Sequence, residues 1–234
     1  MAWCLLRLFE SQKWPSTSTQ NGAARAVRRV FRWAMEMGYI DQNPIATLKA
    51  APKAKREVVI SPEEYERILS ATPGVRFREL LAFVWNTGCR PQEVTRIQCS
   101  HIDTAGRRII FEIVNSKGNK VARVIFLNDA AFEIVQSNLQ KWKNEPLLRT
   151  ERGRPWNKNI IVNRFKRMKK HLGKQYCLYN FRHSFTTEAL KRGVDPVTLA
   201  GLLGHSDAST LATVYQHVAA DPQYMTNQAE RVRK

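Results

Sequence analysis

Long apolar runs are missing from this 234-residue chain. No stretch approaches the roughly 20 apolar residues that a membrane span needs. The opening MAWCLLRLFESQKW is interrupted early by basic and acidic side chains and offers no small-residue cleavage site, so no targeting segment is expected there. Cysteine is sparse, with four residues at positions 4, 89, 99 and 177 and no CxxC pair. That spacing indicates neither a zinc site nor a disulfide framework, and it predicts reduced core thiols in a cytoplasmic protein. A phosphate-cradling GxxxxGKS/T loop and an HExxH metal pair are both absent. Internal repeats and low-complexity segments are lacking as well.

Acidic side chains are in short supply. Lys and Arg number 38 against 20 Asp and Glu, which gives a net charge of +18 and a pI near 10.2. An excess of this size points to a polyanionic partner, because neutralised phosphates release counterions and supply affinity without reading sequence. What is present argues for a folded protein: 43% of residues are hydrophobic and 9% aromatic. The length allows one large domain, or a small one and a medium one.

Periodicity and turn residues divide the chain. Gln20 to Met37 reads as a helix stopped by Gly38, with an apolar stripe of Ala23, Val27, Val30, Phe31 and Ala34. Arg25, Arg28, Arg29 and Arg32 repeat the same spacing on another face. Such a stripe is either a solvated face or a row of phosphate contacts, and the charge excess favours the second. The Ala-, Pro- and Lys-rich run TLKAAPKAKREVV, residues 47–59, reads as a basic linker, set at 51–60, with Lys53, Lys55 and Arg56 as further phosphate contacts. SPEE at 61–64 supplies an N-cap Ser, a first-turn Pro and a Glu that completes a capping box. A second domain, 61–234, is expected from that point. Its pattern predicts helices near 62–71, 76–87, 91–98, 129–143, 157–172, 182–192, 196–203 and 208–218. A β-hairpin interrupts them, with arms RRIIFEIV and VARVIFL around the turn NSKGNK. The expected class is α+β, mostly helical, with one small antiparallel sheet and a short all-α segment ahead of it. Trp33 and Trp85 sit in helical stripes and are expected in the core, with Tyr39, Tyr65 and Tyr176 as packing residues.

The stretch NTGCRPQEVTRI raises the chemistry. Arg90 immediately precedes Pro91 and a predicted helix to Gln98, whose free N–H groups and dipole favour an anion. Glu93 is close enough in sequence to orient the guanidinium. Exchange of a phosphodiester needs fixed cations on the non-bridging oxygens, a nucleophile, and an acid for the departing oxygen. Arginine suits the first task, since its planar fork grips phosphate and keeps its charge.

Several ordered boxes then carry a resemblance. TGCRPQEVTRIQCSHID resembles the first arginine box of the tyrosine recombinase (phage integrase) family, TG-x-R-x-x-E followed by a stretch ending in D-I/L. LYNFRHSFTTEALKRGVDPVTLAGLLGHSDASTLATVYQHV, residues 178–218, is similar to that family's second arginine box, its L-G-H box and its Y-x-H box. The likeness spans roughly residues 60–218 and implies an integrase-like catalytic domain over 61–234. Residues 1–50 look like the last helices of the family's core-binding DNA clamp, which implies a shortened clamp.

By this resemblance Arg90 and Arg182 hold the phosphate, His205 assists, and Tyr215 is the nucleophile. Lys117 is matched to the hairpin lysine that protonates the leaving oxygen, with Lys120 as its rival in the turn. Glu93, His183 and His217 are implied supporting residues, and Tyr224 lacks the preceding L-G-H spacing that a nucleophile needs. Two departures stand out. Tyr179 occupies a position usually held by histidine, and a phenol with a reference pKa of about 10 donates a hydrogen bond but is a poor base near neutrality. Tyr215 also lies one residue further from His205 than the family's pattern. The resemblance implies site-specific cutting and rejoining of double-stranded DNA through a 3′-phosphotyrosyl intermediate, without ATP or metal, by a homodimer or homotetramer on DNA and away from membranes. Two other classes stay open: a DNA-binding protein that keeps the fold without cutting, and a type IB topoisomerase-like relaxing enzyme.

Overall fold

The computed structural model describes residues 2–46, 48, 51, 58–112, 122–142, 146–205 and 208–231. Two compact units emerge, Met1–Arg56 and Glu57–Lys234. No helix among the described residues is long and apolar enough to cross a membrane.

The first unit holds α1 (Ala2–Ser11) and α2 (Thr17–Glu36). Ser16 starts α2 by accepting a hydrogen bond from the Thr19 N–H at 3.1 Å, so the helix begins ahead of the expected Gln20. Helix α1 has no counterpart in the sequence expectations, because its charged residues interrupt the apolar spacing. The core is small: Ala24, Ile45 and Leu48 are buried, with Phe9, Val27 and Phe31 packed on them. Val30, Trp33 and Tyr39 are 60%, 52% and 69% exposed, against their expected places on the apolar stripe, in the core and as packing. The buried face of α2 centres on Asn21 and Ala24, which turns Val30 and Trp33 outward.

The second unit begins with α3 (Pro62–Ser70), α4 (Val75–Thr87) and the single-turn α5 (Pro91–Val94). A 3-10 turn at Cys99–His101 leads into β1 (Ile102–Asp103), β2 (Arg108–Phe111) and β3 (Arg123–Phe126). Then come α6 (Asp129–Lys141), α7 (Lys158–Leu172), α8 (Leu178–Lys191) and α9 (Pro196–Leu203). A second 3-10 turn, Ala208–Leu211, precedes α10 (Ala212–Ala219) and α11 (Pro222–Arg231). Ser61, Asn128, Asn157 and Asp195 cap α3, α6, α7 and α9 through their side chains, as short polar residues do at helix starts.

Helix α4 is the centre of this unit. Phe77, Leu80, Leu81, Phe83 and Val84 are all 0% exposed, too many for one stripe, so the helix packs between α6 and α8. Aromatic rings tie α4 to its neighbours: Phe77 meets Phe165 of α7 edge-on at 5.5 Å, Tyr65 of α3 stacks on Trp85 at 4.3 Å, and Trp85 meets Phe181 of α8 edge-on at 6.3 Å. A smaller core of Leu190, Leu199, Leu203, Leu211, Val218 and Tyr224 joins α8 to α9, α10 and α11.

The sheet is antiparallel in the order β1-β2-β3, with Ile109 opposite Ile125 and Phe111 opposite Arg123. Ile109 and Ile125 are buried, so the strand period of two turns Arg123 toward the same inward face as Ile125. Strand β1 was not anticipated, and the hairpin tip, residues 113–121, lies outside the described residues.

Other boundaries differ from expectation, and the helix expected at 208–218 is a 3-10 turn followed by α10 from Ala212. Helix α5 stops at Val94 instead of Gln98, because Ile97 is buried and its carbonyl accepts from the Leu147 N–H at 3.0 Å. Helix α8 starts at Leu178 instead of 182, where the Asn180 carboxamide accepts from the Cys177 N–H at 2.7 Å. Beyond residue 218, where no helix was expected, Pro222 opens α11, since proline tolerates a first helical position. Cysteine also departs: Cys89 is buried, but Cys99 is half-buried and Cys177 exposed at the start of α8, so only Cys89 is shown to be a core thiol.

Gly88 ends α4 with φ +60°, and a Cβ there would lie 2.5 Å from the Phe185 ring. Gly88→Ala is therefore expected to cost about 1–2 kcal/mol of stability from backbone strain alone. Urea denaturation at unchanged m-value checks it.

Candidate active site

Three chain segments converge on the C-terminal end of α9. A helix end leaves its last carbonyls without partners inside the helix and carries partial negative charge. Here three successive carbonyls each accept from a different arginine. Arg123 Nη1 reaches Leu202 O at 2.9 Å, Arg182 Nη2 reaches Leu203 O at 3.0 Å, and Arg90 Nη2 reaches Gly204 O at 2.7 Å. Arg123 comes from β3, Arg182 from α8, and Arg90 from the residue before α5.

The same side chains are cross-tied. Arg182 Nη1 donates to Gly88 O at 2.7 Å, so the turn after α4 is held against α8. Glu93 accepts from the Arg90 backbone at 2.7 Å, from Arg90 Nη1 at 2.9 Å and from Arg123 Nε at 3.0 Å. The expected anion site at the start of α5 is thus replaced by something else. With one turn of helix there is little dipole, and the Glu93 carboxylate already takes the Arg90 N–H.

His205 follows the α9 end directly, and its Nε2 lies 2.8 Å from Arg182 Nη2. A guanidinium can only donate, so Nε2 accepts and the neutral ring carries its proton on Nδ1. Burial, then Arg182, Arg90 and Arg123, lower the His205 pKa from 6.5 to about 4. Arg182 is 6% exposed, and burial together with Arg90 lowers its pKa to about 10, so it keeps its charge at neutral pH. Burial works to raise the Glu93 carboxyl, but hydrogen bonds from Arg123 and from the Arg90 backbone prevail and hold it below the usual range. The Arg90 side chain is 33% exposed, twice the 16% of Arg123, and so is the more open of the two to an incoming anion.

Not every sequence candidate joins this network. Tyr179, in the first turn of α8, is 58% exposed, and Tyr215 on α10 is 39% exposed; neither hydroxyl belongs to the cluster. Helix α10 packs on α8, which carries Arg182. His183 is half-buried on α8. Arg25, Arg28, Arg29 and Arg32 belong to the first unit, where they line one cleft with Trp33 and Glu36. Lys53, Lys55, Arg56, Lys117 and the side chain of His217 lie outside the described residues. No group of three or more His, Cys, Asp or Glu among the described residues could hold a metal ion. Arg123 was missed by sequence reasoning. Strand alternation in VARVIFL could have found it, since it puts an arginine in register with a buried isoleucine.

The fold is that of DNA integrases. The chain superposes on the Tn1549 transposon integrase in complex with a circular intermediate DNA with a TM-score of 0.76 at 19% identity, covering 98% of this chain and 83% of that one. A lambda integrase dimer bound to a COC′ core site matches with a TM-score of 0.71 at 18% identity, over 92% and 63% of the two chains. The chain belongs to the phage integrase family, whose model matches residues 58–221. It is 30% identical over 219 residues to tyrosine recombinase XerC 2 of Ralstonia nicotianae, covering 87% of this chain and 62% of that protein. Tyrosine recombinase XerD of Staphylococcus haemolyticus is 28% identical over 211 residues, 82% of this chain and 69% of that protein.

The His205 shift carries a pH signature. Unfolded, the ring takes up a proton below pH 6.5, whereas the folded ring does so only below about pH 4. Folding stability therefore falls as the pH drops through that window. His205→Asn should flatten this decline, as read from urea midpoints at several pH values.

Proposed function

We propose that this chain cuts and rejoins duplex DNA at specific sites through a covalent tyrosyl intermediate. The observation that carries the reading is the gathering of Arg90, Arg182 and His205 at one helix end, beside the helix pair α8 and α10 that bears an exposed Tyr215. In this reaction the Tyr215 hydroxyl oxygen attacks phosphorus, and its proton leaves to solvent. The bond from phosphorus to the 5′ oxygen breaks, leaving a 3′-phosphotyrosine. The 5′ oxygen takes a proton from Lys117, a role that rests on the family resemblance. Attack by a 5′-hydroxyl of another strand reverses the step.

Each group has a physical task. The open Arg90 and the buried Arg182 neutralise charge growing on the non-bridging oxygens, where preorganised donors in a water-poor site act most strongly. His205 stays neutral and is held on Arg182 through Nε2 at 2.8 Å. Tyr179 adds a phenolic donor. Because the phosphotyrosine retains the energy of the broken ester, the step consumes no ATP, and on this reading Arg90 and Arg182 supply the positive charge that a metal would otherwise bring. On this reading residues 61–234 form the catalytic domain, while residues 1–50 belong to a DNA clamp whose arginines track the phosphate backbone. The chain spans about 62% of the length of the Ralstonia relative, and the assembly of two or four copies on DNA is part of the same proposal.

Covalent trapping tests it. A pool of nicked suicide duplexes should give a protein–DNA adduct with the wild type and none with Tyr215→Phe; no adduct from the wild type would favour a binding protein that does not cut. Duplex affinity should also fall steeply with salt. Replacing Arg28 and Arg32 together by Ala should shallow the log–log slope by about 2, near 0.9 per lost phosphate contact, in a filter-binding titration.

A further inference from the structure

We propose that Arg123 is a positioning residue for strand cleavage, acting through Glu93 and the α9 end. This inference rests on the proposed DNA-cutting activity and adds to it a side chain outside the boxes that carry the family resemblance.

The geometry is specific. Arg123 is in register with Phe111 and shares its strand face with the buried Ile125, so its side chain runs inward from the sheet. Only 16% of that side chain is exposed. Its guanidinium makes four hydrogen bonds: Nε and Nη2 to the Glu93 carboxylate at 3.0 and 3.5 Å, and Nη1 to Leu202 O at 2.9 Å and Val124 O at 2.5 Å. All four acceptors are protein groups, so four of the five N–H donors are engaged without an incoming phosphate. The role that follows is support. A fork donating to two different elements fixes their separation, which a flexible lysine ammonium does poorly.

Two catalytic candidates depend on that separation. Glu93, gripped on one side by Arg123, grips Arg90 on the other through both backbone and side chain. The α9 end, held at Leu202, presents Gly204 to Arg90 and then His205 to Arg182. Gly204 also shows how closely Arg123 approaches. A Cβ at this residue would fall 2.7 Å from Arg123 Cδ and Nε and 2.8 Å from Cζ, and φ is +65°. The glycine of the L-G-H box is therefore required here by the arginine lying across it as well as by its own backbone. Arg123 also belongs to the positive surroundings that keep His205 neutral.

The experiment compares Arg123→Met and Arg123→Lys with the wild type in three measurements. Single-turnover adduct formation on the pooled nicked duplexes at saturating DNA reads the chemical step. Duplex affinity reads DNA binding. Histidine-labelled NMR of the DNA-free protein reads the titration of His205. Arg123→Met should slow adduct formation by about a hundredfold, the scale of a small misplacement of reacting groups. Duplex affinity should change less than about threefold, because the guanidinium is not a phosphate ligand. His205 should titrate at higher pH once the cation is gone. Arg123→Lys should recover part of the rate and leave His205 closer to the wild type. The inference is overturned if folded Arg123→Met keeps the wild-type rate and His205 midpoint. It is also overturned if rate and affinity fall together with an unmoved His205, the sign of a direct phosphate contact. A wild type that forms no adduct refutes the cutting reaction instead, and the NMR titration then decides the positioning of His205 by itself.

Discussion

The site depends on how one short helix ends. The last carbonyls of α9 are negative, partly buried and without partners inside the helix, and three guanidiniums from three separate segments satisfy them in succession. Arginines brought this close repel one another. The helix end and the single Glu93 carboxylate supply the compensating negative charge, and they do so with backbone oxygens that cannot swing away. The cluster therefore keeps its shape before any phosphate arrives, which is the condition for charge stabilisation without reorganisation.

The rest of the second unit serves to bring those segments together. Helix α4, buried on nearly every side, ends at Gly88, whose carbonyl meets Arg182. Its packing on α8 fixes the distance between the turn before Arg90 and the helix carrying Arg182. The sheet contributes by strand alternation: burying Ile125 commits Arg123 to the same face. The smaller core ties α9 and α10 to α8, so the helix bearing Tyr215 is anchored to the one bearing Arg182. Tyr179 and Tyr215 stay exposed while Arg182 is nearly buried and holds α8 to the turn after α4 and to the α9 end.

Much of this was legible in the sequence. The Ser61 cap, the Asp195-Pro196 start of α9 and the alternating arms of the hairpin are local signals, and local chemistry decides them. The pairing of Arg90 with Glu93 could be read because the two are one turn apart. What could not be read depends on distant contacts. Helix α5 ends early because Ile97 is needed in the core and bonds to Leu147, fifty residues away by number. Trp33 faces outward because the buried face of α2 centres on Asn21 and Ala24, which its own periodicity did not single out. Arg123 escaped notice for the opposite reason: a basic residue in a basic chain looks like surface until the strand face it shares is known.

The central claim is that Arg90, Arg182 and Tyr215 surround a single phosphoryl group. The most direct measurement is a crystal structure of the chain on a nicked duplex with orthovanadate at the break. The account predicts vanadium bonded to the Tyr215 oxygen, its equatorial oxygens within hydrogen-bonding distance of Arg90 and Arg182, and the guanidiniums still seated on the α9 carbonyls. Vanadate bound to a different tyrosine, or lying away from both arginines, would contradict it.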